Sequence, residues 1–172
     1  MVNTPASSSD GAANAFEPIF DDTYNEHAFG LGYFAALCIA THDVILKLNG
    51  YTIEQSEEHA LLQRFFAVVE LADSPFIEGV GPAQFVGEDN TFQSASNIKI
   101  LGPGKIGRSS HHGIHGNEND NILIKGVTFE DFEVAAVSIN KADRLRIEDC
   151  DVTRNRQDVP ILGMFSAARF IR

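Results

Sequence analysis

A repeat of short strands in the second half of the chain limits the folds that it can adopt. The segment GIHGNENDNILIKGVTF begins at Gly113 and aligns with AVSINKADRLRIEDCDV, which begins at Ala136, at a constant offset of 23 residues. Short alternating apolar runs bounded by Asn, Asp or Gly are typical of strands rather than helices. The matched pairs are Ile114 with Val137, Asn117 with Asn140, Asp120 with Asp143, Ile122 with Leu145, Ile124 with Ile147, and Phe129 with Val152.

Weaker copies of this unit lie upstream. Ile98 and Ile100 precede Ile122 and Ile124 by 24 residues. A period of 23 or 24 residues made of strands and turns predicts an all-β solenoid. We therefore expect a single-stranded parallel β-helix of about five to six coils with an N-terminal cap. Still earlier, we expect Leu46, Leu48 and Gly50 to match Ile98, Ile100 and Gly102, and Val69 and Leu71 to match Ile114 and Gly116.

The chain divides into three predicted segments. Residues 1–15 are rich in Ser, Ala, Asn and Gly and predict a disordered leader, and residues 16–42 predict the N-terminal cap. Residues 43–172 predict the β-helix. Two insertions interrupt it: a short helix capped by Ser56 between Ile53 and Phe65, and a long loop between Asp73 and Asn97.

Charge and cysteine content disfavour several classes of function. The net charge is −11, and residues 1–92 carry two basic and fourteen acidic side chains against eleven and ten in residues 93–172. This balance disfavours a general nucleic-acid binder. Cys38 and Cys150 have no CxxC or Cys/His spacing, so we expect reduced cysteines and no metal site.

We expect a soluble chain. The N-terminus lacks the basic and apolar regions of a secretory signal. The apolar run from Phe29 to Ala40 is shorter than the roughly 20 residues that a membrane span needs. Membrane insertion is therefore not expected.

The repeat register predicts one row of polar side chains with catalytic potential. Glu70, His115 and Ser138 fall at equivalent outward positions of successive coils, about 4.8 Å apart. A carboxylate can orient an imidazole that then accepts a proton from a hydroxyl. The alternative interpretation is an ordinary polar exterior strand.

A second predicted row is basic. Lys47, Lys99, Leu123 and Arg146 fall at equivalent outward positions. Lys99 and Arg146 are candidate binding residues for the carboxylates or sulfates of a polysaccharide. The alternative is a set of solvated charges paired with nearby carboxylates.

The segment GRSSHHGIHGN, from Gly107 to Asn117, holds the densest cluster of polar side chains. Arg108, His111, His112 and His115 are candidate substrate-binding residues on a turn between two strands. His112 and His115 could ligate a metal, but no Cys or carboxylate spacing completes a recognisable site. A purely structural turn is the remaining alternative.

The stretch from Asp43 to Arg172 resembles the right-handed parallel β-helix proteins of the pectate-lyase-like superfamily. The segments VILKLNGYTIEQS, QRFFAVVELADSPF and GRSSHHGIHGN are similar to β-helix proteins of giant DNA viruses of algae and amoebae. The resemblance implies a right-handed β-helix, a glycan as ligand or substrate, and a virion location. It implies calcium only for a lyase-like enzyme. The assigned outer strands lack the aspartate pair and the calcium-binding carboxylates of catalytic members, so no catalytic set is carried over.

The C-terminal segment PILGMFSAARFIR is apolar and lacks a polar cap. An open terminal coil exposes core residues and strand edges. We therefore expect either a β-helix truncated at this end or docking of this end, with Phe165 and Phe170, on a protein partner or a second copy.

Three functions remain open from the sequence. The first is a β-helix module, of virion-surface or assembly type, that presents an outer face to a glycan or a protein. The second is a polysaccharide lyase or glycoside hydrolase that uses the face around His115. The third is a purely structural subunit of a larger assembly. Fold alone does not choose among them.

Overall fold

The computed structural model describes residues 33–61, 65–80 and 92–153. Short strands with one short helix make up the regular structure of this part of the chain. In chain order the elements are β1 (Tyr33–Cys38), β2 (Ile45–Lys47), β3 (Thr52–Ile53), α1 (Glu57–Leu61), β4 (Phe65–Glu70), β5 (Ser96–Leu101), β6 (Lys105–Ile106), β7 (His112–Asn117), β8 (Asp120–Lys125), β9 (Thr128–Glu130), β10 (Ala135–Asn140), β11 (Asp143–Glu148) and β12 (Asp151–Thr153).

The strands form three parallel sheets of four strands each. The first sheet has the order β1-β4-β7-β10, the second β2-β5-β8-β11 and the third β3-β6-β9-β12. Each turn of the chain therefore adds one strand to every sheet, and the described residues make four such coils. This confirms the prediction of an all-β parallel solenoid of the β-helix type. The right-handed sense and the total of five to six coils stay predictions.

The register between later coils follows the sequence repeat. Ile114 pairs with Val137, Ile122 with Leu145, and Phe129 with Val152. Inward side chains from all three sheets stack into one core. Each fully buried aliphatic or Phe side chain contributes about 1.5–3 kcal/mol. The core includes Val69, Ile98, Ile100, Ile106, Ile114, Ile122, Ile124 and Phe129.

The predicted register of the first coil is wrong by two residues. Leu46 pairs with Ile100 rather than Ile98, and Lys47 therefore lies beside Leu101 rather than Lys99. The physical reason lies at the corner where the chain enters the second sheet. A residue in the left-handed conformation occupies that corner in every described coil, and it is this corner, rather than the glycine after the strand, that fixes the register. The corner residues are Asp43, Asn97, Asn121 and Arg144, with φ of 62°, 55°, 54° and 54°.

The strands of the first sheet depart from strict alternation. Each places two consecutive residues in the core, and a side-chain carbon at Gly113 would meet Ile106 and Phe129 inside the stack. His112 and His115 therefore face the same outer side, whereas strict alternation puts them on opposite faces. The paired inward positions are Ala36 and Leu37, Val68 and Val69, Gly113 and Ile114, and Ala136 and Val137.

Asparagine side chains join successive coils at the turns. Asn140 donates from Nδ2 to Oδ1 of Asn117 at 2.9 Å, so the two asparagines that the repeat matches are bonded to each other across successive coils. Asn119, which the sequence did not single out, is buried and donates to the backbone oxygens of Leu71 at 2.7 Å and Ala95 at 3.0 Å. It thereby ties both ends of the long insertion to the third coil.

The first insertion contains the predicted helix. α1 begins after Ser56, whose Oγ accepts a hydrogen bond from the backbone nitrogen of His59 at 3.2 Å. Within the predicted N-terminal cap, β1 pairs in parallel with β4. Residues 16–32 of the cap, the leader of residues 1–15 and the C-terminal segment with Phe165 and Phe170 lie outside the described residues. In the part of the chain that the structure covers, no helix has the length and apolar character needed to cross a membrane.

We expect Asn119→Ala to lower the free energy of unfolding by about 2–4 kcal/mol, because two buried hydrogen bonds are lost. The backbone oxygen of Ala95 loses this donor, and that of Leu71 keeps only the backbone nitrogen of Ala95. Urea denaturation followed by circular dichroism measures this. Asn140→Ala is the control, since Asn140 is exposed and donates one bond, and its cost should be about 1 kcal/mol or less. Equal losses in the two variants would contradict the role given to Asn119.

Candidate functional site

A cavity of about 220 Å³ opens on the outer face of the first sheet. We call it the histidine cavity. Strands β4 and β7 supply its polar groups, and β1, β4 and the start of the long insertion supply aromatic rings. The residues that line it are Tyr33, Phe34, Phe65, Ala67, Glu70, Pro75, Phe76, His111, His112 and His115.

Glu70 and His115 form the central polar pair of the cavity. They are direct neighbours in the register of β4 and β7. Nδ1 of His115 lies 2.9 Å and 2.8 Å from the two carboxylate oxygens of Glu70. Since a carboxylate only accepts hydrogen bonds, Nδ1 carries a proton, and Nε2 is an acceptor whenever the ring is neutral. This is the geometry of an imidazole whose tautomer is fixed by an acid.

Glu70 is almost fully buried, with 3% of its surface exposed. The sequence placed it on an exposed outer strand. Pro75 and Phe76, at the start of the insertion, line the same cavity as Glu70, and we call them the cover. Nδ2 of Asn117 donates to the backbone oxygen of Pro75 at 2.9 Å and holds this cover against the sheet. Burial raises the pKa of the Glu70 carboxyl, although the hydrogen bond from His115 opposes that rise.

His112 lies beside His115 as a neutral, half-buried imidazole. The two rings are nearly parallel, with centroids 5.2 Å apart, and the ring of His111 meets that of His112 edge-on at 4.0 Å. Burial, followed by the neighbouring imidazoles His111 and His115, lowers the pKa of His112 to about 3. Its Nδ1 is buried without a hydrogen-bond partner among the described residues.

Aromatic side chains form one wall of the cavity. Tyr33 stacks on Phe65 with ring centroids 4.8 Å apart, because the two residues are neighbours in the register of β1 and β4. Phe76 from the insertion meets Tyr33 edge-on at 4.9 Å, and His111 meets Phe65 at 4.9 Å. The cavity thus combines an apolar wall with a buried acid and three imidazoles.

The structure brings together some of the predicted site residues and separates others. Glu70, His111, His112 and His115 share the histidine cavity. Ser138 is the register neighbour of His115, as predicted, but it makes no hydrogen bond to that residue within the described structure and does not line the cavity.

Arg108 lies away from the histidine cavity. Its guanidinium group is 3.6 Å from the carboxylate of Glu54, and its backbone nitrogen donates to the same side chain at 3.5 Å. The turn that follows is structural, because buried Ser109 donates to the backbone oxygen of His112 at 2.7 Å. The segment GRSSHHGIHGN thus divides into a structural half and a cavity half.

Lys99 and Arg146 share a separate groove of about 310 Å³ on the outer face of the second sheet. They lie on either side of Leu123 in the strand register. The guanidinium group of Arg146 lies 3.6 Å from the carboxylate of Glu148 on the same strand. Lys47 belongs to a different row, so the predicted basic ladder has two cations in the described coils rather than three.

The described residues offer no recognisable metal centre, since no group of three or more His, Cys, Asp or Glu side chains is arranged to hold an ion. Cys38 and Cys150 are free thiols. Burial, followed by the charges of Glu70 and Asp73, raises the pKa of the Cys38 thiol to about 12.

The sequence alone did not reveal the aromatic wall. Tyr33 fell within the predicted cap, and Phe76 fell within an insertion that was assigned only as a loop. The signal that could have found Phe65 is its place in the strand that carries Glu70, five residues before it. The double inward step of β4 and β7 was needed to place these side chains on one face.

The fold and cavity define a parallel β-solenoid with a ligand-sized site on one outer sheet. Among known proteins, no family model, no curated protein and no solved structure matches this chain. The resemblance to the pectate-lyase-like superfamily and to giant-virus proteins therefore stays a prediction from the quoted segments.

We expect the wild-type protein to lose stability as the pH falls from 7 to 5. The unfolded chain binds a proton at His112 near pH 6.5, whereas the folded chain, with a pKa of about 3, does not. The loss should be on the order of 1 kcal/mol, because solvent partly screens this half-buried ring. Urea unfolding at both pH values measures it.

His112→Asn is the matched variant for this prediction. It removes the imidazole but keeps a polar side chain of similar reach. The pH-dependent loss should be smaller in the variant than in the wild type. An identical loss in both proteins would show that His112 is not the group responsible.

Proposed function

We propose that this chain is a β-helix module that binds a glycan through the histidine cavity. One observation carries the proposal: an aromatic wall and a hydrogen-bonded acid and imidazole line the same concave site on a rigid sheet. Binding sites for small ligands usually combine apolar walls with a few fixed polar groups. The apolar face of a sugar ring suits the wall formed by Tyr33 and Phe65, and its hydroxyl groups suit Glu70 and His115.

The rigid backbone supports this assignment. β1, β4 and β7 belong to one continuous parallel sheet, so the cavity residues are held by backbone pairing rather than by a free loop. Only the cover that contains Pro75 and Phe76 comes from an insertion. Sites built on paired strands are more precise than sites built on loops. A preformed site lowers the entropic cost of binding.

The groove with Lys99 and Arg146 supports an acidic glycan as a ligand of the second sheet. From the resemblance alone, we propose that the module is a component of a virion surface or of a larger assembly. A purely structural subunit is the remaining alternative, and it predicts that changes in either concave site leave no binding activity to lose.

A glycan-array screen of the purified chain, with and without calcium, tests the proposal. We expect binding to at least one class of glycan. Phe65→Ala should weaken that binding by about five- to tenfold, because the ring loses its contact with the ligand. Tyr51→Ala is the control, since Tyr51 is exposed and lies outside the cavity. Absence of binding by a folded sample, or equal losses in both variants, would contradict the proposal.

An enzyme of the lyase or hydrolase type is the second candidate, and the fixed tautomer of His115 favours it. Nε2 can take a proton from water or from a sugar hydroxyl, while Glu70 stabilises the resulting imidazolium. The raised pKa of the Glu70 carboxyl is also typical of groups in catalytic sites.

Product analysis of every glycan that binds separates the two candidates. If the protein is an enzyme, His115→Gln should reduce the turnover by about a hundredfold or more, because the general base is lost. Ser138→Ala should leave the rate within about twofold, since Ser138 does not line the cavity. Binding without product formation would reject the enzyme and keep the binding module.

A further inference from the structure

The pair formed by Glu70 and His115 presents hydrogen-bond acceptors to the histidine cavity. The Glu70 carboxylate accepts from Nδ1 of His115, and Nε2 of a neutral His115 is an acceptor as well. None of the described residues that line the cavity is Lys or Arg. A ligand group that approaches this pair therefore has to supply the donors.

His112 does not change this balance. Burial and the neighbouring imidazoles keep it neutral at physiological pH, so it adds no positive charge. Its buried Nδ1 has no partner within the described structure, and an orphaned polar atom of this kind is uncommon in a folded protein. Because a neutral imidazole has one acceptor nitrogen in either tautomer, His112 adds an acceptor and no charge.

The charge of the Glu70–His115 pair also favours a ligand that supplies hydrogen-bond donors. When Nδ1 of His115 donates to an ionised Glu70 and Nε2 is bare, the pair has one net negative charge. Phe65, Phe76 and Tyr33 surround it with apolar surface, and electrostatic attraction is stronger in such an environment than in water. Anionic groups are correspondingly disfavoured there.

We propose that the histidine cavity binds a primary ammonium group and that its ligand is an amino sugar with a free amine. This inference rests on the proposed glycan-binding function and narrows it. An ammonium group has three donors and no acceptor, which complements the acceptors of the cavity. The positive charge of the ammonium group offsets the negative charge of the Glu70 carboxylate. The sugar ring then lies against the aromatic wall.

Isothermal titration calorimetry with two ligand series tests this inference on the wild-type protein. Glucosamine oligomers have a free amine, whereas N-acetylglucosamine oligomers have the same backbone with the amine acylated and uncharged. We expect the glucosamine series to bind at least tenfold more tightly at neutral pH. Equal or tighter binding of the acetylated series would overturn the inference.

Glu70→Gln tests the acid directly. Glutamine keeps the shape of the side chain and an oxygen that accepts from His115, but it removes the charge. The preference for the free amine should fall by about tenfold or more, because a charge-assisted bond is lost. Asp143→Asn is the matched control, since it removes one exposed carboxylate from the second sheet and should leave the preference unchanged.

The outcomes separate this inference from the function on which it rests. Binding of other glycans in the cavity, with no preference for amines, would overturn the ammonium ligand and keep the glycan-binding module. Failure to bind any glycan would overturn both. A lysine oligopeptide is a further probe, and its binding in place of the sugar would overturn the assignment to a glycan.

Discussion

Parallel pairing in register between successive coils is the constraint on which the rest of this structure depends. Each coil lies about 4.8 Å from the next, so equivalent residues form rows that cross the sheets. Val69 and Ile114 are 45 residues apart in the chain, whereas Ile114 and Val137 are only 23 residues apart. Ile114 nevertheless lies directly between the other two in the sheet. Any difference in coil length is therefore taken up at the turns. The same pairing sets Glu70 against His115, because these residues follow Val69 and Ile114 in the next row.

The chemistry of the histidine cavity comes from combining this row with an inserted segment. An acid and an imidazole on adjacent outward positions would ordinarily be solvated, and their interaction would be weak. Here Glu70 is almost fully buried in a cavity that the cover also lines, so its hydrogen bond to His115 is consequential. The double inward step of the strands then brings His112 to the same side. Neither the sheet nor the insertion would produce this environment alone.

The repeat allowed much of the fold to be predicted, because a solenoid imposes the same spacing on every coil. Later units gave the correct pairs, and the row of Glu70, His115 and Ser138 followed from them. The first coil failed because the glycine after its strand was taken as the marker, whereas the left-handed corner at Asp43 sets the register. The burial of Glu70 also could not be predicted, because it depends on how an irregular segment folds back. Strict alternation likewise concealed that His112 and His115 share a face.

Insertions at the turns leave the paired strands unchanged, and this has a consequence for how such a molecule can diversify. The segment that begins at Asp73 supplies the cover and one aromatic ring, while the acid and imidazole belong to strands held by their neighbours. Replacement of the segment would reshape the entrance and the fit to a ligand without moving the polar pair. Recognition and chemistry are thus encoded in separately exchangeable stretches of the chain, and new specificities can arise by loop replacement on an unchanged scaffold.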